Sequence, residues 1–277
     1  MPGFDVTVTP ASLTVAAGDT ATYDVKVAKQ AATAFNAYQF GEVVWTGGGQ
    51  TIRSPLTARA SALVVYSVVE DTRAIGSRIF TVGTGFAGPM VTVPSGMVPA
   101  TRRSGSVDAA GQTCFGITVP TGGQALRAQL FGSETAAPDL DITLYNAAGA
   151  AVASSAGGTS DEVMSLALPA AGAYTACVEG YDTGGPGAAT FTLNSWVVPA
   201  PTGPQTLRAA GPSNAVLGGT ASVVAGWSTP VGIRSLGVVG YKQSAAGPLI
   251  GLTQVFVDAS GTPAIAQAPV LRDKQRR

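Results

Sequence analysis

Apolar and polar residues alternate along most of this chain with the period of two that a half-buried strand requires. Asp139-Leu140-Asp141-Ile142-Thr143-Leu144-Tyr145 is the plainest case; Asn146 to Gly149 follows as a turn, with Ala151 to Ser155 as the return strand. Val163 to Leu168 and Ala173 to Tyr181 alternate again, separated by Pro169-Ala170-Ala171-Gly172, and Ala189 to Val197 closes this unit. Upstream, Phe4 to Val8, Ser12 to Val15 and Ala21 to Val27 read as short strands. Phe40 to Thr46 and Gln50 to Arg59 flank Gly47-Gly48-Gly49, the pattern of a glycine-turned hairpin. Ser61 to Val69, Ile79 to Val82, Ser106 to Val119 and Ala125 to Ser133 are predicted to lead into the middle sandwich. After the proline-stiffened linker Pro199 to Pro204 come Leu207 to Ala210, Ala221 to Trp227, Leu236 to Tyr241 and Leu249 to Val257. The pattern predicts an all-β chain of tandem antiparallel β-sandwich modules. Its expected boundaries are 1–61, 62–198, 205–259 and a disordered, basic tail at 260–277.

Composition narrows the chemistry. The 277 residues include 36 Gly and 18 Pro, only 12% are charged, and 16 basic side chains balance 16 acidic ones. That balance offers no electrostatic footprint for nucleic acid or an anionic membrane. The longest apolar run, Ala62 to Val69, is too short to span a bilayer. Met1-Pro2-Gly3 enters a strand with neither a basic nor an apolar leader segment, so the expectation is that Met1 is an internal or artificial start. There is no histidine. A Ser-His-Asp triad, a Cys-His pair and a His-ligated zinc site are all excluded by that one absence.

Candidate reactive groups are few. Cys114 and Cys177 lie on alternating strands of the middle unit, and neither has a base to make it a nucleophile. They read as a disulfide, with two buried thiols as the other reading; closing that loop would stabilise the module by about 4 kcal/mol and implies an oxidising compartment. Gly83-Thr84-Gly85-Phe86-Ala87-Gly88 spells a dinucleotide fingerprint. The fingerprint works only where a helix starts at the last glycine, and here Pro89 to Pro94 continues extended, so the glycines read as a sandwich turn. Trp45, Trp196 and Trp227, one per unit, read as core residues rather than binding platforms.

Three regions carry a family resemblance. Pro10 to Tyr23 ("PASLTVAAGDTATY") and Phe40 to Arg59 ("FGEVVWTGGGQTIRSPLTAR") resemble the fibronectin type III-like domain that follows the catalytic domain in subtilisin-like serine proteases, with Gln50 where that family usually has His. "DLDITLYNAAG", "LALPAAGAYTACVEGY" and "ATFTLNSWVV", within roughly Ile79 to Val198, resemble the bacterial pre-peptidase C-terminal domain, a non-catalytic module found behind secreted proteases. "GGTASVVAGWS", "SLGVVGY" and "GLTQVFVD" look like a short immunoglobulin-like cap. The resemblance implies immunoglobulin/fibronectin III-like and jelly-roll-like sandwiches, a secreted chain, and the C-terminal accessory part of a subtilase whose catalytic domain lies in cis but outside this sequence. The implied role is to aid folding, stability or substrate presentation, without catalysis by this chain. The competing reading is a stand-alone extracellular module that binds protein fibres or polysaccharide.

Gly158-Thr159-Ser160 resembles the subtilase nucleophile motif, but Asp161-Glu162-Val163 follows in a turn context, so Ser160 reads as a turn residue. Among paired carboxylates, Asp139 and Asp141 share a strand face, and Glu179 and Asp182 end another strand of the same sandwich. These four are the candidate calcium ligands, since carboxylates and loop carbonyls suit that ion and collagenase modules similar to this family bind it. The other reading is that Asp139 guards a strand edge.

Overall fold

The computed structural model describes residues 1–30 and 32–261, so the tail expected at 260–277 lies outside it beyond Gly261. Among the described residues the chain is all-β: the only helical element is a 3-10 turn at Gly132–Glu134, and no helix is long and apolar enough to cross a membrane. The chain divides into two compact units. The first comprises residues 1–64, 83–88 and 215–220; the second comprises residues 65–82, 89–214 and, among the described residues, 221–261.

The first unit is built from strand pairs. β1 (Phe4–Thr9) runs antiparallel to β2 (Asp24–Lys29), and β3 (Tyr38–Gly47) to β4 (Gln50–Arg59). The hairpin closes through Gly48 and Gly49 with φ of 57° and 76°, the left-handed pair that a two-residue turn demands and that glycine meets without strain. The expected strand at Ser12 to Val15 is not formed, and the following strand begins at Asp24 rather than Ala21. Two-residue β5 (Leu63–Val64) pairs with Gly83 and Thr84, and a β-carbon on Gly85 would sit 1.9 Å from the Ser61 carbonyl oxygen. Gly85 of the dinucleotide-like motif therefore serves close backbone packing at a bend, and Gly88 takes a φ of 121°, with no helix following.

The second unit contains two sandwiches, one nested in the chain of the other. The outer sandwich starts with β6 (Val68–Asp71), the part of β7 (Ile75–Thr84) up to Val82, and β9 (Val91–Pro99), with the two-residue β8 (Gly88–Pro89) preceding β9 in the chain. It resumes more than a hundred residues later with β18 (Leu207–Ala210), the part of β20 (Gly219–Ser228) from Ala221, β21 (Arg234–Lys242) and β22 (Leu249–Asp258); the two-residue β19 (Asn214–Ala215) pairs with β8 alone. One sheet has the order β6-β22-β21-β9, and β18, β20 and β7 lie side by side in another. β22 meets β6 in parallel, Gln254 opposite Val68, and β21 meets β9 antiparallel, Val239 opposite Pro94. The stretch 205–259, expected from its few strands to be a short immunoglobulin-like cap packed on its neighbour, takes strand partners from residues 68–99. The physical reason lies in its composition: β21 is buried along almost its whole length, and a strand covered on both faces needs partners on both edges.

Between β9 and β18 the chain builds the inner sandwich from β10 (Thr101–Val107), β11 (Gln112–Val119), β12 (Ala125–Gln129), β13 (Asp139–Asn146), β14 (Ala151–Ser155), β15 (Val163–Ala167), β16 (Gly172–Asp182) and β17 (Ala189–Val198). Its sheets have the orders β10-β17-β12-β15 and β11-β16-β13-β14. The strand expected over Ser106 to Val119 is broken in two by a turn at Asp108 to Gly111, where Ala110 takes a φ of 57° and Gly111 N–H donates to the Asp108 carbonyl at 2.9 Å. Leu126, Leu140, Ile142, Leu144, Val178, Phe191 and Leu193 fill its core.

A second core joins inner to outer sandwich. Ala125, Trp196 and Val198 of the inner one pack with Leu236, Val238, Leu252 and Phe256 of the outer one. Trp196 meets Phe256 edge to face at 5.5 Å and donates its indole N–H to the Arg234 carbonyl at 3.3 Å. The Arg234 guanidinium, itself buried, lies 3.6 Å from the Phe131 ring centre and pairs with Glu134 at 2.6 Å and Asp258 at 2.9 Å. A buried cation held by two carboxylates and an aromatic face specifies one docking geometry, because breaking any pair would strand a desolvated charge.

Candidate functional site

The outward face of the β11-β16-β13-β14 sheet gathers most of the residues singled out in the sequence. On β13, Leu140, Ile142 and Leu144 point into the core, which turns Asp139, Asp141, Thr143 and Tyr145 outward. On β16, Tyr174, Ala176 and Val178 face inward and leave Thr175, Cys177, Glu179 and Tyr181 outward. Register sets their neighbours: Cys177 lies between Cys114 and Thr143, and Glu179 lies between Gln112 and Asp141. Past a register shift, Asp139 stands opposite Asp182. Cys114 and Cys177, directly opposed with Cα atoms 4.0 Å apart, form the disulfide and fasten edge strand β11 to β16.

The four acids are therefore two cross-strand pairs, Asp141 with Glu179 and Asp139 with Asp182. Like charges directly opposite each other destabilise a sheet. Asp139 is buried, and among the described residues its Oδ1 accepts no hydrogen bond; the Oδ1 of Asp141 is likewise buried and without a partner there. Burial and the charges of Asp139, Glu162 and Glu179 push the Asp141 carboxyl above the usual carboxylate range. Glu179 accepts a hydrogen bond from the Gln112 amide at 3.1 Å, and Asp182 accepts one from Gly184 N–H at 2.8 Å. Among the described residues no group of three or more His, Cys, Asp or Glu side chains converges to hold a metal ion. The candidate calcium ligands are neighbours along a face, not a cage.

Asp141 and Glu179 line an open depression of ≈ 490 Å³ with Gln112, Tyr145 and Tyr181. Its rim is the turn from β10 to β11, seated directly on β16: Ala110 N–H donates to the Gly180 carbonyl at 2.8 Å, and Gly180 N–H donates to the Gly111 carbonyl at 3.1 Å. A β-carbon on Gly180 would lie 2.3 Å from the Asp108 carbonyl oxygen, so only glycine lets the turn come this close. Tyr145 and Tyr181 were not singled out in the sequence. Their signal is there all the same: each lies an even number of residues from an acid on its own strand, hence on the same face.

The remaining candidates sit elsewhere. Ser160 is buried, donating to the Ala137 carbonyl at 2.8 Å and accepting from Leu140 N–H at 3.0 Å, so its hydroxyl ties a turn to β13. Trp196 and Trp227 are buried, and Trp227 donates to the Arg73 carbonyl at 2.9 Å; Trp45 is half-buried against Tyr23, 5.1 Å between ring centres.

Residues 1–58 match the family model of the fibronectin type-III domain, and residues 111–180 match that of the bacterial pre-peptidase C-terminal domain. The chain carries both domain types, each of a non-catalytic kind. No curated protein matches the chain. Among solved structures, a mitogen from Yersinia pseudotuberculosis is 15% identical, covering 36% of this chain and 87% of its own, with a TM-score of 0.27. A glycosylation-associated protein (Gap123) complex from Streptococcus agalactiae is 12% identical, covering 50% and 45%, with a TM-score of 0.14. Neither likeness is close enough to bear on fold or function.

Proposed function

We propose that this chain is a non-catalytic accessory segment of a secreted subtilisin-like serine endopeptidase, assisting its folding, stability or presentation of substrate. The observation that carries this reading is the succession, in one chain, of a fibronectin type-III domain at 1–58 and a pre-peptidase C-terminal domain at 111–180. Both are typical accessory modules of secreted peptidases. The "RSPLTAR" ending of β4 adds the subtilisin-like component. The disulfide fits an oxidising, extracellular setting.

The first unit also supports a partner in cis. Tyr38 and Phe40, at alternate positions of β3, are 59% and 69% exposed, and Val44 continues the same face. Exposed apolar side chains on a hairpin face, here interrupted by the Glu42–Arg53 ion pair, suit contact with another domain. The test is the coding sequence upstream of Met1: a catalytic domain with Asp, His and Ser segments is expected, and an unrelated reading frame would remove the subtilisin-like assignment. The isolated chain is expected to show no peptide hydrolysis above background after purification.

A further inference from the structure

We propose that the free edge of β11 is a docking site for an extended polypeptide segment, which adds to the sheet as a further strand and turns an acidic side chain towards Arg103. This goes beyond the accessory role and stands whether or not a protease precedes the chain.

Backbone hydrogen bonding comes first. β11 has β16 on one side and no strand on the other. Along an antiparallel pair, residues bonded across the pair alternate with residues whose N–H and C=O point away from it. Gly180 N–H donates to the Gly111 carbonyl at 3.1 Å, so the next pair, Gln112 with Glu179, is of the second kind. Cys114 with Cys177 is too, its Cα atoms 4.0 Å apart, the close spacing of a pair without backbone bonds. The same alternation sends the N–H and C=O of Gly116 and Thr118 to the open side. All four residues are exposed, and among the described residues no strand or turn supplies their backbone with a partner there. Such edges are ordinarily shortened, charged or broken by proline. The other edge strands of the second unit follow that rule: β10 carries Arg102 and Arg103, β9 carries Pro94 and Pro99, and β6, β14, β15 and β18 have five residues or fewer. β11 has eight residues, without charge or proline.

The space beside that edge selects the occupant. β10 and β11 meet near their shared turn, where the Thr113 hydroxyl donates to the Ser106 carbonyl at 2.6 Å. Towards their other ends a groove of ≈ 450 Å³ lies between them, lined by Thr101 and Arg103, by Gly116, Ile117 and Thr118, and by Val197. Arg103 stands directly opposite the core residue Leu193, so its side chain faces the gap between the two sheets. Among the described residues it has no ion pair, whereas its neighbour Arg102 reaches Glu134 at 3.1 Å. A charge turned inward at an open edge repels apolar strands and accepts an acid, so it makes an otherwise permissive edge discriminate. A strand bonded to β11 would send alternate side chains into the groove. A carboxylate among them would meet Arg103, and apolar neighbours two residues away would meet Ile117 and Val197.

The test uses the full chain and a fluorescein-labelled peptide, Thr-Val-Thr-Glu-Thr-Val-Thr, whose valines and glutamate share one face of a strand. Fluorescence anisotropy is expected to show binding that weakens about tenfold or more when the threonine amides are N-methylated, and about fivefold when lysine replaces the glutamate. Hydrogen–deuterium exchange is expected to slow across β11 when the peptide is added. Gly116→Pro removes an N–H aimed at the groove and none bonded to β16, so binding should weaken about tenfold while a melting curve shows the variant folded. Arg103→Glu, on an exposed side chain, is expected to reverse the preference, with the lysine peptide binding more tightly than the glutamate one; this readout is independent of Gly116→Pro. Absence of binding by the wild type, equal binding of the N-methylated peptide, protection elsewhere than β11, or an unchanged preference in Arg103→Glu would overturn the proposal. So would protection of β11 that grows with protein concentration in the absence of peptide, since a second copy would then occupy the edge.

Discussion

Asp141 shows how a single side chain records the conflict on its sheet face. Its carboxyl is raised by burial and by the neighbouring charges of Asp139, Glu162 and Glu179. The sign of the linkage follows. Below its unfolded pKa the group is protonated in both states and contributes nothing; as pH rises from the unfolded pKa towards the raised folded value a penalty builds, and it is complete above that folded value. Asp141→Asn is therefore expected to raise the melting temperature at pH 7, by an amount equivalent to about 0.5 kcal/mol, the scale of a cross-strand charge pair open to solvent. The gain should vanish at low pH. A melting series across that range checks it, and a destabilising effect at pH 7 would show that the ionised carboxylate holds the sheet together. The sequence named all four acids; it did not reveal that they oppose one another in pairs. That depends on the register shift beside Asp139, a backbone irregularity that no alternation pattern encodes.

At the scale of elements, strand positions were largely legible because alternation is a local signal, as β13 and β16 show. Strand interruptions were less so. Asp108 to Gly111 divides one expected strand into β10 and β11, although Gly111 was a visible marker. Ser12 to Val15 alternates yet forms no strand, since a period of two gives a face but supplies no partner to hydrogen-bond. The disulfide was also legible, from two cysteines on alternating strands of one unit. It holds an edge strand, β11, whose other side has no neighbour in its sheet. The double variant C114S/C177S is expected to lose about 4 kcal/mol, in line with a closed loop spanning a sequence separation of 63. Urea unfolding of the oxidised wild type against the variant measures this. A midpoint unchanged within error would mean that β11 is secured by its ladder with β16 alone.

For the whole molecule, the unreadable part was which distant segments share a sheet. β21 and β22 carry strong strand patterns, but nothing local announces that their companions are β9 and β6. A fragment comprising residues 205–259 is accordingly expected to be unfolded, with collapsed amide dispersion in a nitrogen–proton correlation spectrum, whereas residues 62–261 should give a dispersed one. A well-dispersed spectrum from the short fragment would refute the nested arrangement. The nesting also has a timetable. While a ribosome works at about 5–20 residues per second, β6, β7 and β9 emerge well before β20 to β22. For several seconds or more the early strands have no companions, and the inner sandwich can complete itself first. An unfinished sheet waiting beside a finished domain is the kind of nascent species on which a holding chaperone would act.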